Sequence, residues 1–274
     1  MPASITQVDA FTDRPFAGNP AAVCVLDEPA DERWMQDVAA EMNLAETAFA
    51  VRPATAGAPY GLRWFTPTVE VPLCGHATLA TAHVLFSDGD RGLHGDRVRF
   101  ATASGELGAA RLPDGRIELD FPVDPPTPLD ASAVPAALLP ALGIEPGAVE
   151  AVLDTPSRWL LVVTDRAAVA RLAPDFARLS TIAGFGTIVT AAGDGDPYDC
   201  ESRVFVPGAG IDEDPVTGAA HCVVGPYWAG RLGGDAITAR QASARGGHLG
   251  LTVRGERIGI AGHAVTTLRG ELLV

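Results

Sequence analysis

The chain has 274 residues, of which 47% are hydrophobic, enough to bury two modest cores, and its formal net charge is −14. No basic cluster offsets that charge, so no nucleic-acid partner is expected, and the absence of lysine excludes chemistry that needs an ε-amine, such as Schiff-base or pyridoxal-phosphate catalysis. No apolar run reaches the roughly 18 residues of a membrane span and no basic leader opens the chain, so we expect a cytoplasmic protein without a membrane partner.

The first half of the chain is predicted to contain short strands and one amphipathic helix. VDAFT, AAVCVL, ETAFAV and GLRWF have the composition of strands, whereas residues 31–42 carry apolar side chains at helical spacing. An apolar helix is predicted after Gly75, and the segments between Arg97 and Pro122 are typical of an antiparallel meander. The proline-rich run 120–130 is the best candidate for a linker.

The second half repeats this order in outline. Strands surround a predicted helix at about 167–179, a second apolar helix is predicted after Gly218, and hairpin-like strands continue to Val274. Pro226 lies within the second apolar helix and is expected to kink or shorten it. Both apolar helices are hydrophobic nearly all round, which is typical of a helix enclosed by its own sheet.

Two sequence motifs recur in the two halves. RxFxP occurs at 63–67 and 203–207, and ExPxxG at 70–75 and 213–218. The offsets are 203 − 63 = 140 and 218 − 75 = 143 residues, so the copies stay in step apart from a three-residue insertion. The chain is therefore predicted to be internally duplicated.

The duplication predicts an α+β fold of two pseudo-symmetric domains. Each domain is expected to be a curved, mostly antiparallel sheet wrapped around a central apolar helix. The predicted domains are residues 1–122 and 123–262, and the last strand, 263–274, can return to the first domain.

Each apolar helix begins directly after one copy of ExPxxG. Backbone N–H groups at a helix start lack partners within the helix and favour anions. The amides of Gly75, His76, Gly218 and Ala219 are therefore predicted to hold a substrate carboxylate, with two helix starts facing one cleft.

Two residues in the first half are candidates for proton transfer. Glu46 is the single charged residue in NLAETAFAV, and burial in such a strand would favour its protonated form. The alternative is a glutamate on an edge strand that points to solvent. His76 lies in the first turn of an apolar helix, where the helix dipole would keep the ring neutral. Its alternative is a structural histidine bonded to nearby backbone.

Three further residues have both a structural and a functional interpretation. Asp214 precedes a proline at a predicted helix start, which is typical of an N-cap, and a catalytic role is its alternative. Cys74 and Thr217 hold equivalent positions in the two motif copies. Because threonine cannot form a thiolate, a symmetric two-thiol racemase is not expected. Cys74 can also be a small buried residue at a helix start.

Several segments together resemble one known family. VDAFTDRPFAGNPAAV, NLAETAF, RWFTPTVEVPLCGHATLATAHVL, GRIELDFP and SRVFVPGAGIDEDPVTGAAHC resemble the PhzF-like, or phenazine biosynthesis-like, family of the diaminopimelate epimerase superfamily. The resemblance implies a diaminopimelate epimerase-like fold and proton-transfer chemistry on a small carboxylic acid without a cofactor. The type member is an isomerase that acts on trans-2,3-dihydro-3-hydroxyanthranilate. No histidine or cysteine spacing indicates a metal site.

The resemblance also implies roles for individual residues. Glu46 matches the family's general acid/base, His76 lies in its GHAT motif, and Asp214 lines its site. Asn19 lies in its GNP turn, which borders the site. Gln241 follows an arginine as in a family RQG signal, but alanine replaces the glycine, which weakens the expectation of substrate contacts from that loop.

The sequence therefore predicts a cofactor-independent isomerase of a small carboxylate substrate, with Glu46 as acid/base in an interdomain cleft. One alternative is an epimerase or dehydratase of a hydroxy or amino acid that depends on Cys74 and Thr217. A second alternative is a non-catalytic homologue that binds small acids. A homodimer is the ordinary expectation for an enzyme of this size.

Overall fold

The computed structural model describes residues 3–90, 93, 95–156, 158–182, 186–195 and 197–274. The chain divides into two compact units. The first consists of Met1–Phe121 and Gly259–Val274, and the second of Pro122–Ile258. No helix among the described residues is long and apolar enough to cross a membrane.

The first unit is built mainly of strands, with two helices. Its helices are α1 (Glu32–Met42) and α2 (Gly75–Asp88). Its strands are β1 (Ala3–Ala10), β2 (Asn19–Leu26), β3 (Glu46–Val51), β4 (Tyr60–Phe65), β5 (Glu70–Val71), β6 (Arg97–Thr102), β7 (Gly105–Arg111), β8 (Ile117–Pro122) and β18 (Ala264–Leu272).

The second unit has a similar composition of elements. Its helices are α3 (Leu138–Leu142), α4 (Arg166–Ala170), α5 (Phe176–Leu179) and α6 (Gly218–Leu232). Its strands are β9 (Thr127–Pro128), β10 (Val149–Asp154), β11 (Trp159–Val163), β12 (Thr187–Ala192), β13 (Cys200–Val206), β14 (Ile211–Asp214), β15 (Ala236–Gln241) and β16 (Gly247–Arg254), and β17 (Arg257–Gly262) spans its C-terminal boundary.

Strand pairing alternates in the same way in both units. In the first, β1–β2 is antiparallel, β2–β3 parallel, β3–β4 antiparallel, β4–β6 parallel and β6–β7 antiparallel. In the second, β10–β11, β11–β12, β12–β13, β13–β15 and β15–β16 follow the same alternation. The meander β6–β7–β8 is confirmed, and β18 pairs antiparallel with β1. The predicted α+β class is confirmed.

Helix α1 begins and ends as its sequence predicts. The carboxylate of Asp31 accepts hydrogen bonds from the backbone N–H groups of Arg33 and Trp34, at 2.9 and 3.3 Å. Asn43 ends the helix in the left-handed conformation, with φ of 49°. The buried face of α1 packs against Phe49 and Phe65.

The two central helices are enclosed. Helix α2 buries 11 of its 14 residues and α6 buries 9 of 15, which confirms the prediction from their uniform apolarity. Pro226 does not shorten α6, which continues to Leu232. A proline leaves the carbonyl four residues earlier without its helical donor. Here the N–H of Asp124 donates to that carbonyl, of Cys222, at 3.0 Å.

The single helix predicted at 167–179 is wrong. The structure has two short helices there, α4 and α5, with Pro174 between them. Proline lacks an N–H donor and disfavours helical geometry in the residue before it, which favours a break in the helix at this position. The two helices instead begin separately on the N-caps Asp165 and Asp175.

The repeated motifs form the same contacts in each unit. Arg63 of RxFxP makes a two-armed ion pair with Glu70 of ExPxxG, at 2.7 and 2.6 Å. Arg203 does the same with Glu213, at 2.7 and 2.8 Å. Each guanidinium also lies 5.1 Å from the ring of the motif phenylalanine. The motif charges therefore neutralise each other and fix the turn that leads to each central helix.

Candidate functional site

Glu46 is the first residue of β3, which pairs with β2 on one side and β4 on the other. The strand is therefore interior to the sheet, and the alternative of a solvent-facing glutamate on an edge strand is wrong. Its side chain is only 13% exposed. A carboxylate at this depth requires a polar or charged neighbour.

That neighbour is His76, the second residue of α2. Nε2 of the ring lies 3.1 Å from Oε2 of Glu46. On the other side of the ring, Nδ1 lies 3.1 Å from Nδ2 of Asn19 and 3.5 Å from Sγ of Cys74. The structure thus brings together four of the residues that the sequence singles out.

The contact between Glu46 and His76 is close but is not a directed hydrogen bond. Oε2 and Nε2 are both buried, and neither has a hydrogen-bond partner among the described residues. Leaving a buried polar atom unsatisfied costs about 1–3 kcal/mol. Two such atoms side by side are suited to receive a polar or acidic group of a bound molecule.

The protonation of His76 differs from the neutral ring expected from the helix dipole. Burial alone would lower the pKa of His76, but the acidic groups of Cys74 and Glu46 beside the ring outweigh burial and raise the pKa well above its usual range. Burial, reinforced by the Glu46 carboxylate, raises the pKa of the Cys74 thiol. Because the thiol is then protonated at neutral pH, Glu46 supplies the charge that favours imidazolium.

The turn before β2 places Asn19 against the histidine. Gly18 has φ of +63°, and a Cβ at this position would lie 2.2 Å from the carbonyl oxygen of Ala10, so glycine is required. Asn19 follows directly and is fully buried. Its amide nitrogen faces Nδ1 of the neutral ring, and a half-turn of the amide would present its oxygen to the imidazolium. Asn19 can therefore form a hydrogen bond with the His76 ring in either of its charge states.

Glu46, Cys74 and His76 also have donor types that bind metals, and their donor atoms lie within 4.8 Å of one another. Cys74 faces Nδ1 of the ring, however, whereas Glu46 faces Nε2. The two ring nitrogens point away from each other, so one ion cannot bind the ring together with both other side chains unless a side chain rotates. The arrangement fits proton transfer better than a three-ligand metal site.

A second polar cluster lies in the other unit at the start of α6. Thr217 is the N-cap residue of this helix, and its hydroxyl donates to Oδ2 of Asp214 at 2.5 Å. Asp214 is buried at the end of β14 and is not the N-cap, so the interpretation of Asp214 as a helix cap is wrong. Its carboxylate remains a candidate for a functional role.

Near Asp214, the sequence analysis noted Gln241 without giving it a role and missed Arg158. Gln241, at the end of β15, is fully buried, and its Nε2 donates to the backbone oxygen of Asp214 at 2.6 Å. The RQ dipeptide was the available signal. Arg158 is largely buried; burial lowers its pKa, whereas the charge of Asp214 acts in the opposite direction. No sequence pattern marks Arg158.

Among the described residues, helices α2 and α6 start without a side-chain cap, as does the short helix α3. Sγ of Cys74 faces His76, and the hydroxyl of Thr217 is used by Asp214. By contrast, α1, α4 and α5 are each capped by an aspartate, namely Asp31, Asp165 and Asp175. The starts that contain Gly75 and Gly218 therefore keep the uncapped amides that an anion would use.

The chain is similar to known proteins along almost its whole length. The family model described as phenazine biosynthesis-like protein matches residues 8–270. An uncharacterized isomerase of Pseudomonas aeruginosa is 49% identical over 272 residues, which cover 99% of each chain. The crystal structure of a PhzF family phenazine biosynthesis protein from Enterococcus faecalis has a TM-score of 0.90 and 39% identity, covering 100% of both chains.

A more distant structure, a predicted epimerase from Pseudomonas aeruginosa, has a TM-score of 0.76 and 25% identity and covers 99% of both chains. The fold is thus shared with an epimerase-like protein as well as with PhzF family members, as the resemblance implied. The chain belongs to the phenazine biosynthesis-like protein family.

Proposed function

We propose that the protein is a cofactor-independent isomerase that moves a proton between two carbons of a small carboxylic acid, with Glu46 as the acid/base. Similarity to proteins that are named isomerases supports the reaction class. The observation that carries the residue assignment is the buried pair of Oε2 of Glu46 and Nε2 of His76, which lie 3.1 Å apart without a directed hydrogen bond to any group in the described part of the chain.

The proposed reaction requires no redox change. The Glu46 carboxylate removes a proton from an acidic carbon, so a C–H bond breaks and an O–H bond forms, while the electron pair is delocalised into the substrate's conjugated system or carboxyl group. Glu46 then returns the proton to a second carbon. The His76 imidazolium, favoured by its raised pKa, donates to the substrate oxygen on which negative charge develops.

Substrate binding is proposed to use the uncapped helix starts. In the first unit, the amides of Gly75 and His76 are candidates for a carboxylate, and Cys74 and Asn19 complete the wall around the ring. In the second unit, the amides of Gly218 and Ala219 have the same character, beside Asp214 and Thr217.

Deuterium exchange tests the function. The protein is incubated in D₂O with trans-2,3-dihydro-3-hydroxyanthranilate, L-proline and trans-4-hydroxy-L-proline, and carbon-bound protons are followed by NMR. We expect exchange with at least one acid and its loss in Glu46→Gln, while the exposed control Glu41→Gln behaves as wild type. Binding without exchange in wild type would instead support a non-catalytic acid-binding protein.

The alternative that depends on thiol chemistry receives less support. The raised pKa of Cys74 disfavours a thiolate, which is the form in which cysteine acts as a base. Thr217 already donates its hydroxyl proton to Asp214. The geometry therefore favours Glu46 over Cys74 as the group that accepts the substrate proton.

A further inference from the structure

The side chain of Gln241 is bonded at both ends to one turn of the chain. Its Oε1 accepts from the backbone N–H of Thr217 at 2.8 Å. Its Nε2 donates to the backbone oxygen of Asp214 at 2.6 Å and to Oγ1 of Thr217 at 3.2 Å. A neutral amide is the group that supplies both an acceptor and two donors in this arrangement.

The consequence of these bonds lies in the hydroxyl of Thr217. Threonine at an N-cap commonly turns its oxygen toward the N–H groups of the first helical turn. Here the oxygen accepts from Gln241 and the hydroxyl proton goes to Oδ2 of Asp214, so α6 starts without that cap. One side chain thus bonds the backbone oxygen of Asp214 and the threonine whose hydroxyl holds the Asp214 carboxylate.

We propose that Gln241 is a positioning residue, which holds the Thr217 hydroxyl on the Asp214 carboxylate and so keeps it away from the amide of Ala219 at the start of α6. The proposal rests on the proposed function in so far as those groups serve the substrate. It predicts that loss of Gln241 lets Thr217 cap α6, which occupies the amide of Ala219 or Ala220 and removes the Thr217 hydroxyl from Oδ2 of Asp214.

Two variants of Gln241 separate positioning from packing. Leucine keeps the volume and removes every hydrogen bond, and we expect deuterium exchange to fall about 10- to 100-fold at all pH values. Glutamate accepts from Thr217 but can donate to Asp214 only when protonated. The loss of substrate deuterium exchange in Gln241→Glu, relative to wild type, is therefore expected to become smaller as the pH falls from 8 to 5.

The matched controls are Gln36→Leu and Gln36→Glu. Gln36 also donates from Nε2 to a backbone oxygen, that of Thr66 at 2.9 Å, but lies outside both clusters. We expect the rate of substrate deuterium exchange to stay within twofold of wild type in both controls. Gln241 would be shown only to pack the turn by either of two results. One is an equal loss of substrate deuterium exchange in the Gln36 controls, and the other is a loss in Gln241→Glu that does not change with pH.

A measurement without substrate keeps this test independent of the proposed function. Amide hydrogen exchange at Thr217 should be at least about tenfold faster in Gln241→Leu, because the acceptor of that N–H is removed, while amides of α1 stay protected. If the backbone amide of Thr217 exchanges as slowly in Gln241→Leu as in wild type, the inference is overturned even if the enzyme is active. If wild type exchanges no substrate proton, the proposed function fails, and Thr217 protection alone decides the role of Gln241.

Discussion

Oε2 of Glu46 lies 3.1 Å from Nε2 of His76, yet the two buried atoms do not share a directed hydrogen bond. A pair that served stability alone would be expected to align, because a satisfied hydrogen bond to a charged group stabilises by about 1.5–3 kcal/mol. Without a directed hydrogen bond, both atoms are able to contact a substrate. This relationship underlies the proposal that proton transfer occurs here.

The charge state of His76 predicts the pH dependence of exchange. Because the pKa of His76 is raised by the negative groups beside it, the imidazolium persists through neutral pH and is lost only as the pH rises through this raised value. The alkaline limb of kcat/KM should therefore lie well above 6.5. Replacement by asparagine in His76→Asn should remove that limb and lower exchange about 100-fold. An alkaline limb retained in the variant assigns it to another group.

Cys74 is expected to be dispensable for proton transfer. Its thiol is buried and its pKa is raised, so it is protonated when the enzyme works. Exchange in Cys74→Ala should stay within about tenfold of wild type, since the variant removes only a contact to His76. Complete loss of exchange in Cys74→Ala, with Glu46→Gln still active, would favour the thiol-dependent epimerase or dehydratase.

Gly18 is expected to be required for both stability and activity. A Cβ in Gly18→Ala would meet the backbone oxygen of Ala10 at 2.2 Å in addition to the strain of positive φ. We expect the free energy of unfolding to fall by at least about 2 kcal/mol. The rate of substrate deuterium exchange should also fall, because Asn19 would move. Gly115→Ala is the matched control, since Gly115 has φ of +86° and open space around it. Its expected cost is about 1 kcal/mol, measured by urea unfolding.

His221 predicts a loss of stability in acid. Burial lowers the pKa of His221 to about 4, while its Nδ1 lies 2.8 Å from the carbonyl oxygen of Thr217. Between pH 6.5 and 4 the unfolded chain binds a proton that the folded chain does not, so stability falls as the pH falls through this window.

The variant His221→Gln isolates that contribution. The drop in unfolding free energy between pH 7 and 4.5 should be smaller than in wild type by about 2 kcal/mol, as measured by urea unfolding at both values. An equal drop in the two proteins would mean that His221 becomes protonated in the folded state without cost.

Local patterns predicted much of the fold and part of the site. The cap at Asp31 and the apolar periodicity after it were sufficient to place α1, and the motif GHAT was sufficient to place His76 at a helix start. Glu46 was identifiable because a lone carboxylate interrupts an apolar strand. Each of these signals lies within a few neighbouring residues.

The features that were missed depend on contacts between distant segments. Gln241 bonds to residues 24 and 27 positions earlier, and no local pattern indicates that its amide faces Thr217. Pro226 is tolerated in α6 because Asp124 supplies the missing donor. The raised pKa of His76 was not anticipated, because the helix dipole was weighed without the acidic groups beside the ring.

Deuterium incorporation by Glu46→Gln is the most direct test of the central claim. Glutamine keeps the size of the side chain and cannot accept a proton from carbon, so the rate of deuterium incorporation should fall at least about 100-fold. The free energy of unfolding in urea, and the rise in Tm on binding of the small carboxylic acid, should remain those of wild type. Exchange in Glu46→Gln that stays within threefold of wild type would contradict the assignment of Glu46 as the acid/base.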